Sequence, residues 1–137
     1  NMSMISYAET PRHVWAQSWP WQVVLTVSCT YWTSDVHKAI QDSPRGLTDY
    51  YNLCNTQLTR IVELVRGKLS KQTRLTLVAL IVIDVHCRDV VSFLCDKQVS
   101  NDDDFQWLSQ LRYYWEENVM VTRMINSSLN YGYEYLG

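Results

Sequence analysis

Apolar residues recur every three or four positions across residues 47–69, and this is the clearest pattern in the chain. That spacing places their side chains on one face of an α-helix, opposite a polar face. Gly67 disfavours helix and predicts a helix end or kink near that position. The apolar face consists of Leu47, Tyr51, Cys54, Leu58, Ile61, Val65 and Leu69.

A second helix is predicted before this one, after Pro20, because proline suits the first turn of a helix. Its apolar positions fall on or near one face, and residues 42–46 have the composition of a turn. These positions are Leu25, Cys29, Trp32, Val36 and Ile40.

The stretch 71–97 is harder to assign, because residues 75–85 are apolar on nearly all sides and rich in β-branched side chains. Its length without Gly or Pro favours a helix over a strand. A helix buried over most of its circumference requires neighbours on several sides, and we expect this helix to have them.

The pattern changes after the polar residues 101–104, whose aspartates favour the start of a short helix at 105–108. Residues 111–115 and 119–125 are aromatic and β-branched, which predicts two strands of a hairpin. Near the end, Tyr131, Tyr133 and Tyr135 alternate and would share one face of an extended strand. The predicted fold is therefore mainly α, a bundle of three long helices followed by a short helix and an antiparallel β-hairpin.

The opening of the chain is polar and mixed, and Pro11 disfavours an early helix. Residues 1–19 are therefore predicted to form a connector, with regular structure beginning after the first dozen residues. No basic region followed by an apolar run is present near the start, so a signal peptide is not predicted.

Composition narrows the class of protein. The chain has 137 residues, 47% of them hydrophobic and 19% charged, which is typical of one globular unit. A net charge of -2 disfavours nucleic-acid binding, and the longest apolar run is too short for a membrane helix. The four cysteines lack CxxC pairing, so reduced thiols are expected over a disulfide framework.

The sequence predicts no catalytic, cofactor-binding or metal-binding residues. No GxxxxGK[ST] phosphate loop occurs. His86 and Cys87 adjoin on a helix and point about 100° apart, which disfavours a nucleophile pair. A metal site that combines them with Cys95 and Asp84 or Asp89 lacks convergent spacing. The many aromatic side chains favour packing or docking over a small-molecule pocket.

Three blocks of sequence together resemble the dynein heavy chain family. The first is 22–28 (QVVLTVS) followed by Tyr31 and Trp32, and the second is 64–70 (LVRGKLS) leading to 79–90 (ALIVIDVHCRDV). The third is 105–115 (FQWLSQLRYYW) with 131–137 (YGYEYLG). The three blocks occur in the same order as in the family, and their residues resemble axonemal heavy chains more than cytoplasmic ones. The sequence departs from the usual pattern at 19–21, at 29–30 and at Cys87, where alanine is common.

The resemblance implies a position inside a larger motor. Residues 20–110 would form the C-terminal subdomain of the linker, a mechanical lever, after the connector 1–19. Residues 111–137 would lead into the first AAA+ module. The fragment itself would hold no cofactor, whereas the parent motor would use ATP/ADP and Mg. Packing residues expected to transmit strain are Trp107, Leu111, Tyr113, Trp115, Tyr131, Tyr133 and Tyr135.

The implied partners are the rest of the heavy chain, namely its AAA+ ring and preceding linker. Through the parent they include microtubules and the dynein intermediate and light chains, with no nucleic acid and no membrane. The implied location is the cytoplasm, in the axoneme of a cilium or flagellum. The alternative is a free-standing helical protein-interaction module. A phosphate-binding loop encoded downstream of Gly137 would favour the motor.

Overall fold

The structure is a computed structural model that describes residues 2–117 and 119–125. Helices occupy most of this length, and a hairpin follows them. In chain order the elements are α1 (Met2–Glu9), α2 (Arg12–Trp15), α3 (Trp21–Gln41), α4 (Gly46–Val65), α5 (Lys71–Asp96), α6 (Phe105–Leu108), β1 (Arg112–Glu116) and β2 (Val119–Arg123). The predicted mainly α fold with three long helices, a short helix and a hairpin is confirmed.

Helices α4 and α5 form an antiparallel pair whose junction is fixed by two side chains. Ser70 caps α5, because its Oγ accepts a hydrogen bond from the Thr73 N–H at 3.1 Å. The guanidinium of Arg74 donates to the carbonyls of Val65 and Gly67 at the end of α4. Gly67 therefore lies in the turn where α4 ends, as the sequence predicts.

The buried side chains form two clusters at opposite ends of the bundle. One contains Trp15 and Ile61 and joins α2, α3, α4 and α5. The other contains Trp32, Leu94 and Trp107 and adds α6 to the same long helices. Helix α3 contributes to both clusters and therefore connects the two ends of the core.

Helix α5 differs from the prediction that most of its circumference is buried. Leu75 is 62% exposed and Val82 is 65% exposed, and Val78 is exposed beside them. The reason is that α5 packs against α3 and α4 on one side, which leaves these three side chains exposed on the opposite side. An all-apolar run indicates that a helix packs against other elements on several sides, but it does not show which elements these are.

The N-terminal region also differs, because α1 and α2 form within the predicted connector. The prediction that structure begins after the first dozen residues is wrong. Pro11 precedes the first turn of α2, where its missing N–H has no cost, and so it starts a helix. Both helices are short and depend on tertiary contacts that local composition does not encode.

The hairpin matches the predicted strands to within one or two residues, because β1 begins and ends one residue later than predicted and β2 ends two residues earlier. Its strands are antiparallel, and Tyr114 lies opposite Val121 while Trp115 lies opposite Met120. The predicted third strand with its three tyrosines lies outside the described residues. Within the described residues, no helix combines the length and apolarity needed to cross a lipid bilayer.

Gly46 begins α4 at a point where the chain approaches the end of α3. A Cβ added there would overlap the carbonyl oxygen of Ala39 and lie 2.9 Å from its carbonyl carbon. Backbone atoms cannot rotate away, so we expect Gly46→Ala to destabilise the 137-residue chain by about 1–3 kcal/mol in urea unfolding.

Gly67→Ala is the matched control. A Cβ there meets only the Leu64 carbonyl oxygen at 3.4 Å, an ordinary contact. Because Gly67 does not have a positive φ, alanine should be neutral or stabilising by up to about 1 kcal/mol. Equal unfolding free energies for the two variants would contradict the close approach at Gly46.

Candidate functional site

Trp107 anchors the region where the hairpin meets the helices. Its side chain is fully buried, and its ring packs edge-on against Trp32 of α3 with centroids 5.6 Å apart. Asp104 caps α6 by accepting a hydrogen bond from the Gln106 N–H at 2.8 Å, as the aspartate pattern predicts. This single-turn helix therefore places the Trp107 ring in the core.

Arg112, the first residue of β1, is buried although it carries a charge that is always present. Its guanidinium donates to the carbonyls of Leu108 at 3.1 Å and Gln110 at 3.2 Å, and to the Tyr114 hydroxyl at 3.1 Å. It also lies over the Trp107 ring, 5.9 Å from the centroid. One side chain thus joins α6, the loop after it and the strand.

Tyr114 links that arginine to α3. Its hydroxyl lies 2.9 Å from Nε2 of His37, and guanidinium groups of Arg112 and Arg123 lie over its ring at 5.9 and 5.4 Å. Burial and the nearby Arg112 charge lower the pKa of His37, against an opposing contribution from Asp102. His37 therefore meets Tyr114 as a neutral ring at neutral pH.

The backbone of β1 is attached to α3 directly. The Tyr113 N–H donates to Oγ1 of Thr33 at 2.9 Å, and Thr33 is fully buried. The other strand is held as well, because the Thr30 hydroxyl contacts the Met120 sulfur at 3.3 Å. Beyond β2, the Ile125 N–H donates to the Leu108 carbonyl at 2.7 Å. We call this set of contacts the hairpin joint.

The predicted packing residues have different places in this joint. Trp107 is its fully buried centre, and Tyr113 and Trp115 are half-buried along α3. Leu111 is 47% exposed and packs less than expected. The remaining three, Tyr131, Tyr133 and Tyr135, lie outside the described residues.

Sequence reasoning missed Arg112, Tyr114, His37 and Thr33. Strand alternation gave one usable signal, since Arg112 and Tyr114 are two apart and share a face of β1. An arginine inside an aromatic run is unusual enough to suggest a buried, hydrogen-bonded charge. No comparable signal exists for His37 or Thr33, because their partners are about 80 residues away.

A second joint, which we call the N-terminal joint, holds α1 and α2 against the bundle. Arg12 and Asp84 of α5 form a two-pronged ion pair at 2.7 and 2.9 Å, with both side chains largely buried. Burial alone would lower the pKa of Arg12, but the Asp84 carboxylate outweighs it and raises that pKa. The Tyr7 hydroxyl accepts a hydrogen bond from Nε of Arg12 at 3.2 Å, and the Tyr7 ring stacks on that of Tyr31 with centroids 4.3 Å apart.

No group of three or more His, Cys, Asp or Glu side chains within 2–117 and 119–125 is arranged to hold a metal ion. All four cysteines are free thiols, and burial raises the pKa of Cys54 to about 11. Arg88 pairs with Asp89 at the surface of α5, with Nη2 and Oδ1 3.1 Å apart.

Comparison with known proteins supplies the family. No protein-family model matches the chain. Dynein axonemal heavy chain 12 of Rattus norvegicus is 54% identical over 135 residues, which is 98% of this chain and 4% of that protein. This sequence belongs to the axonemal dynein heavy chain family. Dynein axonemal heavy chain 3 of Mus musculus is 51% identical and dynein axonemal heavy chain 1 of Homo sapiens is 47% identical, each over 96% of the chain and 3% of the relative.

The axonemal dynein relatives are thus far longer than the segment they share with this chain, which spans about 4% of the length of the first of them. The predicted resemblance to axonemal heavy chains is confirmed. Both joints lie within the matched segment of the dynein heavy chains.

The hydrogen bond between Thr33 and β1 can be removed without changing side-chain shape. We expect Thr33→Val to leave the buried Tyr113 N–H without an acceptor and to destabilise the 137-residue chain by about 1–3 kcal/mol. Chemical denaturation followed by tryptophan fluorescence measures this difference.

Thr56→Val is the matched control, because Thr56 bonds only to a carbonyl four residues earlier on the exposed face of α4. Thr33 makes the same kind of bond to Cys29 in addition to its bond with the hairpin. The control should change stability by no more than about 0.5 kcal/mol. A Thr33→Val variant as stable as the control would show that the hairpin is not held through Thr33.

Proposed function

We propose that this chain is the root of the linker in an axonemal dynein heavy chain. In this proposal the helical part is the end of the lever, and the hairpin leads into the first AAA+ module. The part passes ATP-driven changes of the AAA+ ring to the lever for minus-end-directed movement along microtubules. The parent works in the axoneme of a cilium or flagellum.

The observation that carries this proposal is the hairpin joint. A segment that transmits force must resist hinging where a strand meets a bundle, and buried hydrogen bonds to a charged group resist it more than apolar contact alone. Arg112 makes three such bonds across α6 and β1, and Thr33 adds one from α3. The hairpin and the helices therefore form one stiff unit.

The exposed apolar face of α5 supports a part that works inside a larger assembly. Leu75, Val78 and Val82 lie on it, and Trp21 at the start of α3 lines a broad groove beside Leu75. Contiguous apolar surface of this kind marks interaction sites. In the proposal this face packs against other parts of the same heavy chain.

In this proposal, ATP binding and hydrolysis take place in other parts of the parent heavy chain. The 137 residues contain no phosphate-binding loop, so nucleotide hydrolysis belongs to another part of the motor. ATP/ADP and Mg would act in the AAA+ ring. Intermediate and light chains would reach this segment only through the parent protein.

The proposal predicts that loosening the hairpin joint uncouples ATP turnover from movement. In the full heavy chain, Arg112→Gln removes the charge and shortens the donor, so Leu108, Gln110 and Tyr114 lose their shared partner. We expect microtubule gliding velocity to fall several-fold while ATPase activity persists. Trp115→Ala combined with Tyr133→Ala should act in the same direction.

Arg123→Gln is the control for this experiment. Arg123 also lies over Tyr114, but it is half-exposed and pairs with Glu116 at the hairpin surface. Exposed pairs contribute about 0–1 kcal/mol, so gliding should be nearly unchanged. Normal velocity and normal ATPase in a folded Arg112→Gln motor would refute the transmission role.

A further inference from the structure

The hairpin joint contains a short chain of polar groups that runs from β1 to α3. A guanidinium N–H of Arg112 donates to the Tyr114 hydroxyl at 3.1 Å, and that hydroxyl lies 2.9 Å from Nε2 of His37. The His37 ring packs edge-on against Trp107, with centroids 5.4 Å apart. Nδ1 of the same ring lies 3.9 Å from a carboxylate oxygen of Asp102. The phenol and the imidazole therefore lie between a cation and an anion.

The direction of each hydrogen bond follows from which groups carry protons. Arginine has donors and no acceptor, so the Tyr114 oxygen accepts from Arg112. The Tyr114 proton then needs an acceptor. Among the described residues this hydroxyl is bonded to Arg112 and His37, and of these two only His37 can accept. Nε2 of His37 therefore carries a lone pair, and the proton of the neutral ring lies on Nδ1, facing Asp102.

We propose that this chain of polar groups is a pH-sensitive latch, which holds the hairpin to α3 while His37 is neutral and weakens when His37 gains a proton. The added proton comes from solvent and binds Nε2, the nitrogen that accepts from Tyr114. Nε2 then becomes a donor, so the Tyr114 oxygen faces two cationic donors and its own proton loses its acceptor. Protonation thus weakens the one hydrogen bond that joins these two side chains.

The charged groups around His37 oppose its protonation. Burial lowers the pKa of His37, and the Arg112 charge lowers it too, against an opposing contribution from Asp102. The Asp102 side chain is 41% exposed, and its oxygen is too far from Nδ1 for a hydrogen bond, so it contributes little. The charged residues on the surrounding elements are Lys38 on α3, Asp102 before α6, Arg112 on β1, and Arg123 on β2, which lies over the Tyr114 ring and pairs with Glu116.

The lowered pKa of His37 sets the pH range in which the latch responds. When the hairpin opens, the pKa of His37 returns to its ordinary value of about 6.5. The open state therefore binds the proton more readily than the closed state, and opening becomes easier as the pH falls through about 6.5. The opening constant should rise by up to about tenfold for each pH unit between the two pKa values. Below the pKa of the closed state the effect ends, because both states are then protonated.

Native-state hydrogen exchange of the Tyr113 amide in the 137-residue chain tests the latch. The opening constant, corrected for intrinsic exchange, is compared at about pH 7.5 and about pH 5, which span the titration of histidine. It should rise severalfold in acid in the unmodified chain. In His37→Gln the rise should be lost, because the amide oxygen can still accept from Tyr114 but does not titrate. His86→Gln, at an exposed position of α5, should keep the rise. The same pH response in His37→Gln as in the unmodified chain would overturn the proposal.

Nitrogen-15 NMR of the His37 ring tests the direction of the hydrogen bonds. Near neutral pH the expected ring is protonated at Nδ1 and bare at Nε2. Tyr114→Phe removes the donor to Nε2, so the pKa of His37 should rise. Tyr31→Phe is the matched control, because this hydroxyl of α3 donates to the Met4 carbonyl instead, and the pKa of His37 should stay unchanged. A neutral ring protonated at Nε2, or an unchanged pKa of His37 in Tyr114→Phe, would overturn the latch.

Discussion

The buried guanidinium of Arg112 is the constraint on which the arrangement of α6 and the hairpin depends. It is 5% exposed, and its hydrogen-bond partners are neutral oxygens on α6, the following loop and β1. A charge that cannot be neutralised is tolerated inside a protein only when its donors are satisfied. The carbonyls of Leu108 and Gln110 must therefore stay where they are, and this requirement fixes the angle at which the strand leaves the short helix.

The same constraint explains how two arginines can face each other across the hairpin. Arg112 and Arg123 occupy directly opposite positions, an arrangement that destabilises a sheet when both charges share one environment. Here Arg112 turns into the core, while Arg123 pairs with Glu116 at the surface. At the other end of the molecule, the partner of Arg12 is charged, because its guanidinium forms an ion pair with the Asp84 carboxylate of α5. The buried Arg112 and the largely buried Arg12 thus hold the two segments that flank the long helices.

Helix α4 and the two strands were predictable because their signals are local, with apolar spacing on Leu58 and Ile61 and aromatic runs in the hairpin. The placement of α1 and α2 was not predictable, because it depends on distant contacts such as the Tyr31 hydrogen bond to the Met4 carbonyl and the Arg12 pair with Asp84. Burial of α5 was overestimated for a related reason. The apolar pattern shows that a face will be packed, but it does not show whether the packing partner is in this chain or in another part of a larger protein. In the hairpin joint, aromatic content identified Trp107, but the polar partners from α3 carry no sequence signal.

The central claim is that the hairpin and the long helices form one cooperative unit. Native-state hydrogen exchange of the Tyr113 amide tests it most directly, because that N–H bonds to Thr33 across the joint. Local opening of a loosely attached hairpin would expose it independently of the core. We predict that the Tyr113 amide has the same opening free energy as the amide of Val36, which is buried at the centre of α3. An opening free energy near that of fraying chain ends would contradict the claim.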